Sequence, residues 1–211
     1  MQLAIFDLDG TLLETLGTLA HHCNHILQKH GFAPHSKEEY CYFLGEGSRR
    51  LIEKALPEGT PQKMVDAVLE EYNTYYREHL IGTTTPYEGI VPLLQTWKGK
   101  GRRLAVLSNK PHPLTVQLIE HFFPGMFDVV FGQREGVPRK PDPAGALEIM
   151  NLLSVPSSET IYLGDTSTDM LTGKACGAYT VGVLWGFRPK EELEAYHPDR
   201  LAASPKDLMD L

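Results

Sequence analysis

Four short stretches of the chain carry side chains suited to chemistry: Asp7-Leu8-Asp9-Gly10-Thr11, Ser108-Asn109, Lys140-Pro141-Asp142-Pro143 and Gly164-Asp165-Thr166-Ser167-Thr168-Asp169. Brought together, they offer the carboxylates of Asp7, Asp9, Asp165 and Asp169, the hydroxyl of Ser108 and the ammonium of Lys140. Clustered acids repel one another and lose hydration, so such a group needs a cation. An all-oxygen donor set selects a hard ion. Mg²⁺ takes octahedral oxygen ligands at ~2.0–2.1 Å and commonly binds one or two carboxylates plus substrate phosphate oxygens. The chemistry indicated is phosphoryl transfer. Asp7 would attack phosphorus and carry the phosphoryl group. Asp9 would protonate the departing oxygen and later deprotonate water, a contribution of ~10²–10⁴-fold. Lys140 would neutralise phosphate charge, and Ser108 would hold a non-bridging oxygen. Gly10 lets the backbone turn sharply after Asp9.

These side chains must be positioned by a sheet. Strand-length apolar runs, Leu3 to Phe6, Leu104 to Leu107, Val129 to Phe131, Ile161 to Leu163 and Thr180 to Leu184, are separated by segments of helical period: Leu114 to Phe123, Ala144 to Leu153 and Met170 to Cys176. That rhythm predicts an α/β fold, a doubly wound parallel sheet. Such sheets bind ligands outside the carboxyl ends of their strands, which is where the four stretches fall. The interval 14–81 departs from the rhythm and predicts successive helices. Leu16, Leu19, Ala20, Cys23, Ile26 and Leu27 form one stripe; Met64, Val65, Val68, Leu69, Tyr72 and Tyr76 form another. Ser36 with Glu39 reads as a capping box. The expected organisation is a core of residues 1–13 and 82–211 with a helical domain, 14–81, inserted after the first strand.

The motifs DLDGT at 7–11, LSN at 107–109, KPDP at 140–143 and GDTSTDM at 164–170, in that order, resemble the haloacid dehalogenase-like hydrolases. PYEGI at 86–90, LAVLSNKP at 104–111, FDVVFGQREGVPRKPDP at 127–143 and GVLWGFRP at 182–189 are similar to the phosphoglycolate phosphatase branch. The resemblance implies a Rossmann-like core, Asp7 as nucleophile and Asp9 as acid and base. It further implies Ser108 and Lys140 on phosphate, and Mg²⁺ on Asp7, the Asp9 carbonyl and Asp165, with Asp169 supporting. It makes the 14–81 insertion a mobile helical cap. Glu14 departs from the family, whose members more often have Asp there.

The expected activity is a Mg²⁺-dependent phosphatase acting on a small phosphorylated metabolite, first of all 2-phosphoglycolate. A pyrophosphatase, nucleotidase or sugar phosphomutase shares the rim residues, and a catalytically silent binding or regulatory module would share the fold. Discrimination falls to the insertion, where Gly45, Gly47 and Arg49 suit a loop that pairs a second anionic group; Arg50 beside it reads more simply as a solvated helix start. Thr11 and Asn109 complete the substrate-binding candidates, with bracing the Asp7 loop and capping a turn as their alternatives. His21 and His25 stand at i, i+4 but lack a third ligand, so a solvated or interhelical face is expected there instead of zinc. Tyr72, Tyr75 and Tyr76 read as helix packing.

Composition narrows the classes. The 211 residues are 42% hydrophobic and 22% charged, with net charge −7, which excludes a disordered or collagen-like chain and disfavours a grip on nucleic acid. Three cysteines without a CxxC pair suggest neither a disulfide framework nor a zinc site. No apolar run reaches the ~18 residues of a membrane helix, and the first residues do not read as a secretory signal. A cytoplasmic monomer or homodimer with no membrane partner is expected.

Overall fold

The computed structural model describes all 211 residues, Met1–Leu211. The chain divides into two compact units, Met1–Glu14 with Thr85–Leu211, and Thr15–Thr84. In chain order, the larger unit opens with β1 (Leu3–Phe6) and β2 (Leu13–Glu14), and the smaller contains α1 (Leu16–Lys29), α2 (Lys37–Phe43), α3 (Ser48–Ala55) and α4 (Gln62–Glu78). The larger unit then resumes with β3 (Thr85–Pro86), α5 (Ile90–Gly99), β4 (Arg103–Pro111), α6 (His112–Phe122), β5 (Val129–Gln133), α7 (Ala144–Leu153), β6 (Thr160–Gly164), α8 (Ser167–Ala175), β7 (Tyr179–Val183), α9 (Lys190–Ala195) and β8 (Arg200–Ala202).

Six strands form one sheet in the order β5-β4-β1-β6-β7-β8, every neighbouring pair parallel. The chain fills one side of β1 with β4 and β5, then returns to lay β6 against the other side. That reversal puts a topological switch point at β4-β1-β6, the place where such sheets open a crevice for ligands. β1 is buried throughout, as a strand covered on both faces must be. Its alternate residues serve opposite layers: Leu3 and Ile5 join Ala146, Ile149 and Met150 of α7 in one core, whereas the Phe6 ring lies 5.8 Å from Trp97 of α5. The sheet is therefore wound on both faces.

Several elements differ from the sequence expectation. β4 does not stop at Leu107 but runs to Pro111, with a register shift against β5 between those residues. α8 begins at Ser167, three residues before the apolar stripe does, because its first turn is polar and faces the site. α5 has no counterpart among the expected helices, although Ile90, Leu93, Leu94 and Trp97 are buried at helical spacing. The short ribbon of β2 with β3, Leu13 opposite Pro86, is too brief to leave a pattern.

In the smaller unit, Leu19, Cys23, Ile26 and Leu27 of α1 are buried, and α1 packs on α4, where Val65, Val68, Tyr72 and Tyr76 are buried. Ser36 caps α2 through a reciprocal pair: the Glu39 amide donates to Ser36 Oγ at 3.3 Å and the Ser36 amide to Glu39 Oε2 at 2.8 Å. His21 and His25 are exposed, with the His25 ring stacked on Tyr75 at 4.5 Å.

Candidate active site

The chain turns immediately after β1. The Leu12 and Leu13 amides both donate to the Leu8 carbonyl at 3.0 Å, and Gly10 adopts φ 83°. Beyond β6 a second loop carries Asp165, and α8 carries Asp169 in its first turn. The switch point thus joins Asp7, Asp165 and Asp169, whose ligand oxygens all lie within 4.8 Å of one another.

Lys140 enters from the segment after β5. Its Nζ lies 2.8 Å from Asp7 Oδ1 and 2.7 Å from Asp169 Oδ1. A buried lysine must be held in place by its backbone, and Asn109 does this: its Nδ2 donates to the Lys140 carbonyl at 3.1 Å while its Oδ1 accepts from the Lys140 amide at 2.9 Å. Thr11 Oγ1 donates to Asp165 Oδ1 at 3.1 Å, and the Phe187 amide donates to Asp165 Oδ2 at 2.8 Å. Thr166 donates from its amide and hydroxyl to Asp169 Oδ2, at 3.1 and 2.7 Å, leaving Oδ1 for Lys140. Ser108 is buried, and its Oγ accepts from the Lys110 amide at 3.2 Å.

Close backbone approach makes the cluster possible. A Cβ added at Gly10 or Gly186 would overlap Asp165, and one at Gly164 would overlap Asp169. Trp185 fixes the loop by donating from Nε1 to the Thr11 carbonyl at 3.0 Å. Sequence reasoning includes the Trp185-Gly186-Phe187 loop in the GVLWGFRP motif but gives it no part in the site. It also missed Lys110, whose Nζ lies 3.0 Å from Asp9 Oδ2. The signal for Lys110 was its place two residues beyond Ser108, on the same side of an extended strand.

Burial, followed by the Asp169 carboxylate, raises the Asp7 carboxyl to about 7 against the opposing pull of Lys140. Asp165 is pushed well above the usual carboxylate range by burial and then by Asp169 and Asp7. Burial works against the Lys140 ammonium, yet Asp169 and Asp7 outweigh it and hold the lysine well above its ordinary value. One ammonium does not balance three buried carboxylates, and the remaining deficit matches a divalent cation. Asp9 lies outside this trio, and its Oδ1 is buried without a hydrogen-bond partner in the protein. The donors are all oxygen, so the residues fit Mg²⁺.

Gly45, Gly47 and Arg49 belong to the smaller unit. Both glycines have positive φ, 107° and 89°, and Gly47 immediately precedes α3. Arg49 Nη1 pairs with Asp66 Oδ1 at 2.9 Å, and Arg50 Nη1 pairs with Glu53 Oε2 at 2.7 Å.

Residues 4–183 match the family profile described as haloacid dehalogenase-like hydrolase. The phosphoglycolate phosphatase of Aquifex aeolicus is 30% identical over 212 aligned residues, covering 100% of this chain and 96% of the relative. Pyrophosphatase PpaX of Anoxybacillus flavithermus is 28% identical, covering 98% and 94%. Among solved structures, a protein from Lactobacillus delbrueckii subsp. bulgaricus superposes with a TM-score of 0.94 at 30% identity, covering 99% of this chain and 97% of that one.

Proposed function

Because the chain belongs to the haloacid dehalogenase-like hydrolases, we propose that this phosphatase hydrolyses a small phosphomonoester with Asp7 as the nucleophile, 2-phosphoglycolate being the first-choice substrate. The observation that carries the reading is the convergence of Asp7, Asp165, Asp169 and Lys140 at the sheet's switch point. Asp7 and Asp165 would hold Mg²⁺, with Asp9 contributing its carbonyl and Asp169, whose oxygens take Thr166 and Lys140, supporting them. When bound, the ion supplies charge neutralisation of the phosphoryl oxygens and of the acids around them.

The residues' tasks follow from their partners. Lys140 holds Asp7 Oδ1 in place and lowers the repulsion felt by an approaching phosphate. Asp7 forms a bond to phosphorus as the bond from phosphorus to the leaving oxygen breaks. Asp9 gives that oxygen a proton and afterwards takes one from the water that releases inorganic phosphate and restores the Asp7 carboxylate. Ser108 Oγ donates to a non-bridging oxygen. Thr11 and Asn109 act through Asp165 and Lys140, to which their polar atoms are committed. In the helical unit, the Gly45 to Arg49 loop selects substrate, Arg49 exchanging Asp66 for a second anionic group such as a carboxylate. The helical unit is assigned the role of cap. A cytoplasmic monomer or homodimer is part of this proposal; no helix of the protein is long and apolar enough to cross a membrane.

The pyrophosphatase relative favours a second reading, cleavage of pyrophosphate by the same residues. A screen of 2-phosphoglycolate, pyrophosphate, nucleotides and hexose phosphates, ranked by kcat/KM with Mg²⁺ present, separates the two. 2-Phosphoglycolate is expected at the head, and pyrophosphate there would replace it. Asp7→Asn should fold and lose turnover on every substrate; retained turnover would overturn the nucleophile assignment.

A further inference from the structure

The site contains a second buried lysine with no task in the reaction as set out above. Lys110 lies on β4, its side chain only 4% exposed, with Nζ 3.0 Å from Asp9 Oδ2; the Asp9 side chain is 19% exposed. An ammonium so far out of water requires a counter-charge, and Asp9 supplies one. The pairing is asymmetric. Asp9 Oδ2 faces the ammonium, whereas Oδ1 is buried without a hydrogen-bond partner in the protein. The backbone fixes Lys110 as well, its amide donating to Ser108 Oγ at 3.2 Å. Each aspartate of the Asp7-Leu8-Asp9 motif therefore has its own lysine: Lys140 on Asp7, Lys110 on Asp9.

We propose that Lys110 is the positioning residue for Asp9, clamping Oδ2 so that proton transfer runs through Oδ1. This deepens the phosphatase reading and rests on it. In the first half-reaction the proton on Oδ1 passes to the leaving oxygen as its bond to phosphorus breaks and the bond from Asp7 to phosphorus forms. In the second, the attacking water returns a proton to Oδ1, phosphate departs, and Asp7 regains its electron pair. Loss of the clamp lets the Asp9 carboxyl rotate away from both transfers while Asp7, Lys140 and Ser108 keep their places.

The test uses leaving groups of different basicity. An alkoxide must be protonated as it leaves, whereas p-nitrophenolate departs without a proton. In single-turnover measurements of Asp7 phosphorylation with Mg²⁺, Lys110→Met should lose on the order of 10²-fold with an alkyl phosphate such as 2-phosphoglycolate, in line with a missing general acid. With p-nitrophenyl phosphate the loss in that step should be smaller by at least about tenfold, while phosphoenzyme breakdown slows equally whichever substrate formed it. Equal losses for both leaving groups in the first step, or no loss with either, overturn the clamp. Should Lys110→Met not fold, Asp9→Asn is compared with Asp9→Asn/Lys110→Met, where both partners of the ion pair are neutral. Equal rates are expected, because a clamp has nothing to hold once the acid is gone; a further loss in the double variant overturns it. Activity surviving in Asp7→Asn would instead overturn the phosphatase mechanism itself.

Discussion

At the scale of single residues, the site depends as much on atoms that are missing as on charged ones. Asp165 is packed against two backbone segments, at Gly10 and at Gly186, each so near that a methyl group would overlap it. The Gly186 approach also brings the Phe187 amide onto Asp165 Oδ2 at 2.8 Å. Gly186→Ala must push Asp165 or the Gly10 turn aside, and a displacement near 1 Å at a reacting centre costs about 10²-fold. We expect kcat/KM to fall by roughly that factor with the fold retained, read by circular dichroism beside steady-state kinetics. Gly99→Ala is the control: nothing lies within 4 Å of a Cβ added there, and it is the last residue of α5, so fold and activity should both be kept. Equal activity in the two variants would mean that the close approach at Gly186 is not needed.

At the scale of elements, α8 shows how a helix start and a reaction site share one side chain. Asp169 is fully buried and divides its oxygens, Oδ2 taking the Thr166 amide and hydroxyl and Oδ1 taking Lys140. Thr166→Val keeps the shape but deletes the 2.7 Å hydroxyl bond. A hydrogen bond to a charged group contributes about 1.5–3 kcal/mol, and each kcal/mol moves Tm by about 2–4 °C in a domain of this size. Calorimetry should therefore show Tm lower by roughly 3–12 °C, and an unchanged Tm would deny the bond its structural weight. The same helix explains what was legible in the sequence. Apolar stripes mark where helices bury a face, so α7 is legible residue for residue. The first turn of α8 is polar and leaves no stripe, and the buried run of β4, Leu104–Lys110, ends in Ser108, Asn109 and Lys110, which local pattern reads as a loop. Lys110 escaped because its partner Asp9 is about a hundred residues away in the chain and period-2 reasoning stopped at the last apolar residue. The Asp7, Asp165 and Asp169 set was legible because its spacing is local within motifs and the sheet rule supplies the rest.

At the scale of the whole molecule, a chain of net charge −7 keeps three carboxylates in its interior with a single lysine among them. Without a cation this arrangement opposes folding, since burial raises Asp7 to about 7 and pushes Asp165 well above the usual carboxylate range. A ligand that binds only the folded state stabilises it by mass action, by about 2.7 kcal/mol when present at a hundred times its Kd. Mg²⁺ at that level should raise Tm by roughly 5–10 °C over the protein in chelator, as read by differential scanning calorimetry without substrate. Asp165→Asn removes one of the repelling charges and one oxygen ligand together. Its Tm in chelator should match or exceed that of the parent protein, and the Mg²⁺-dependent rise should vanish. This opposite response separates a metal centre from an acid cluster that merely tolerates its own repulsion, because repulsion alone predicts a more stable Asp165→Asn protein but no Mg²⁺ effect in either. Identical Tm values for the parent protein with Mg²⁺ and with chelator would exclude tight metal binding by these acids, and with it the charge balance on which phosphate approach to Asp7 depends.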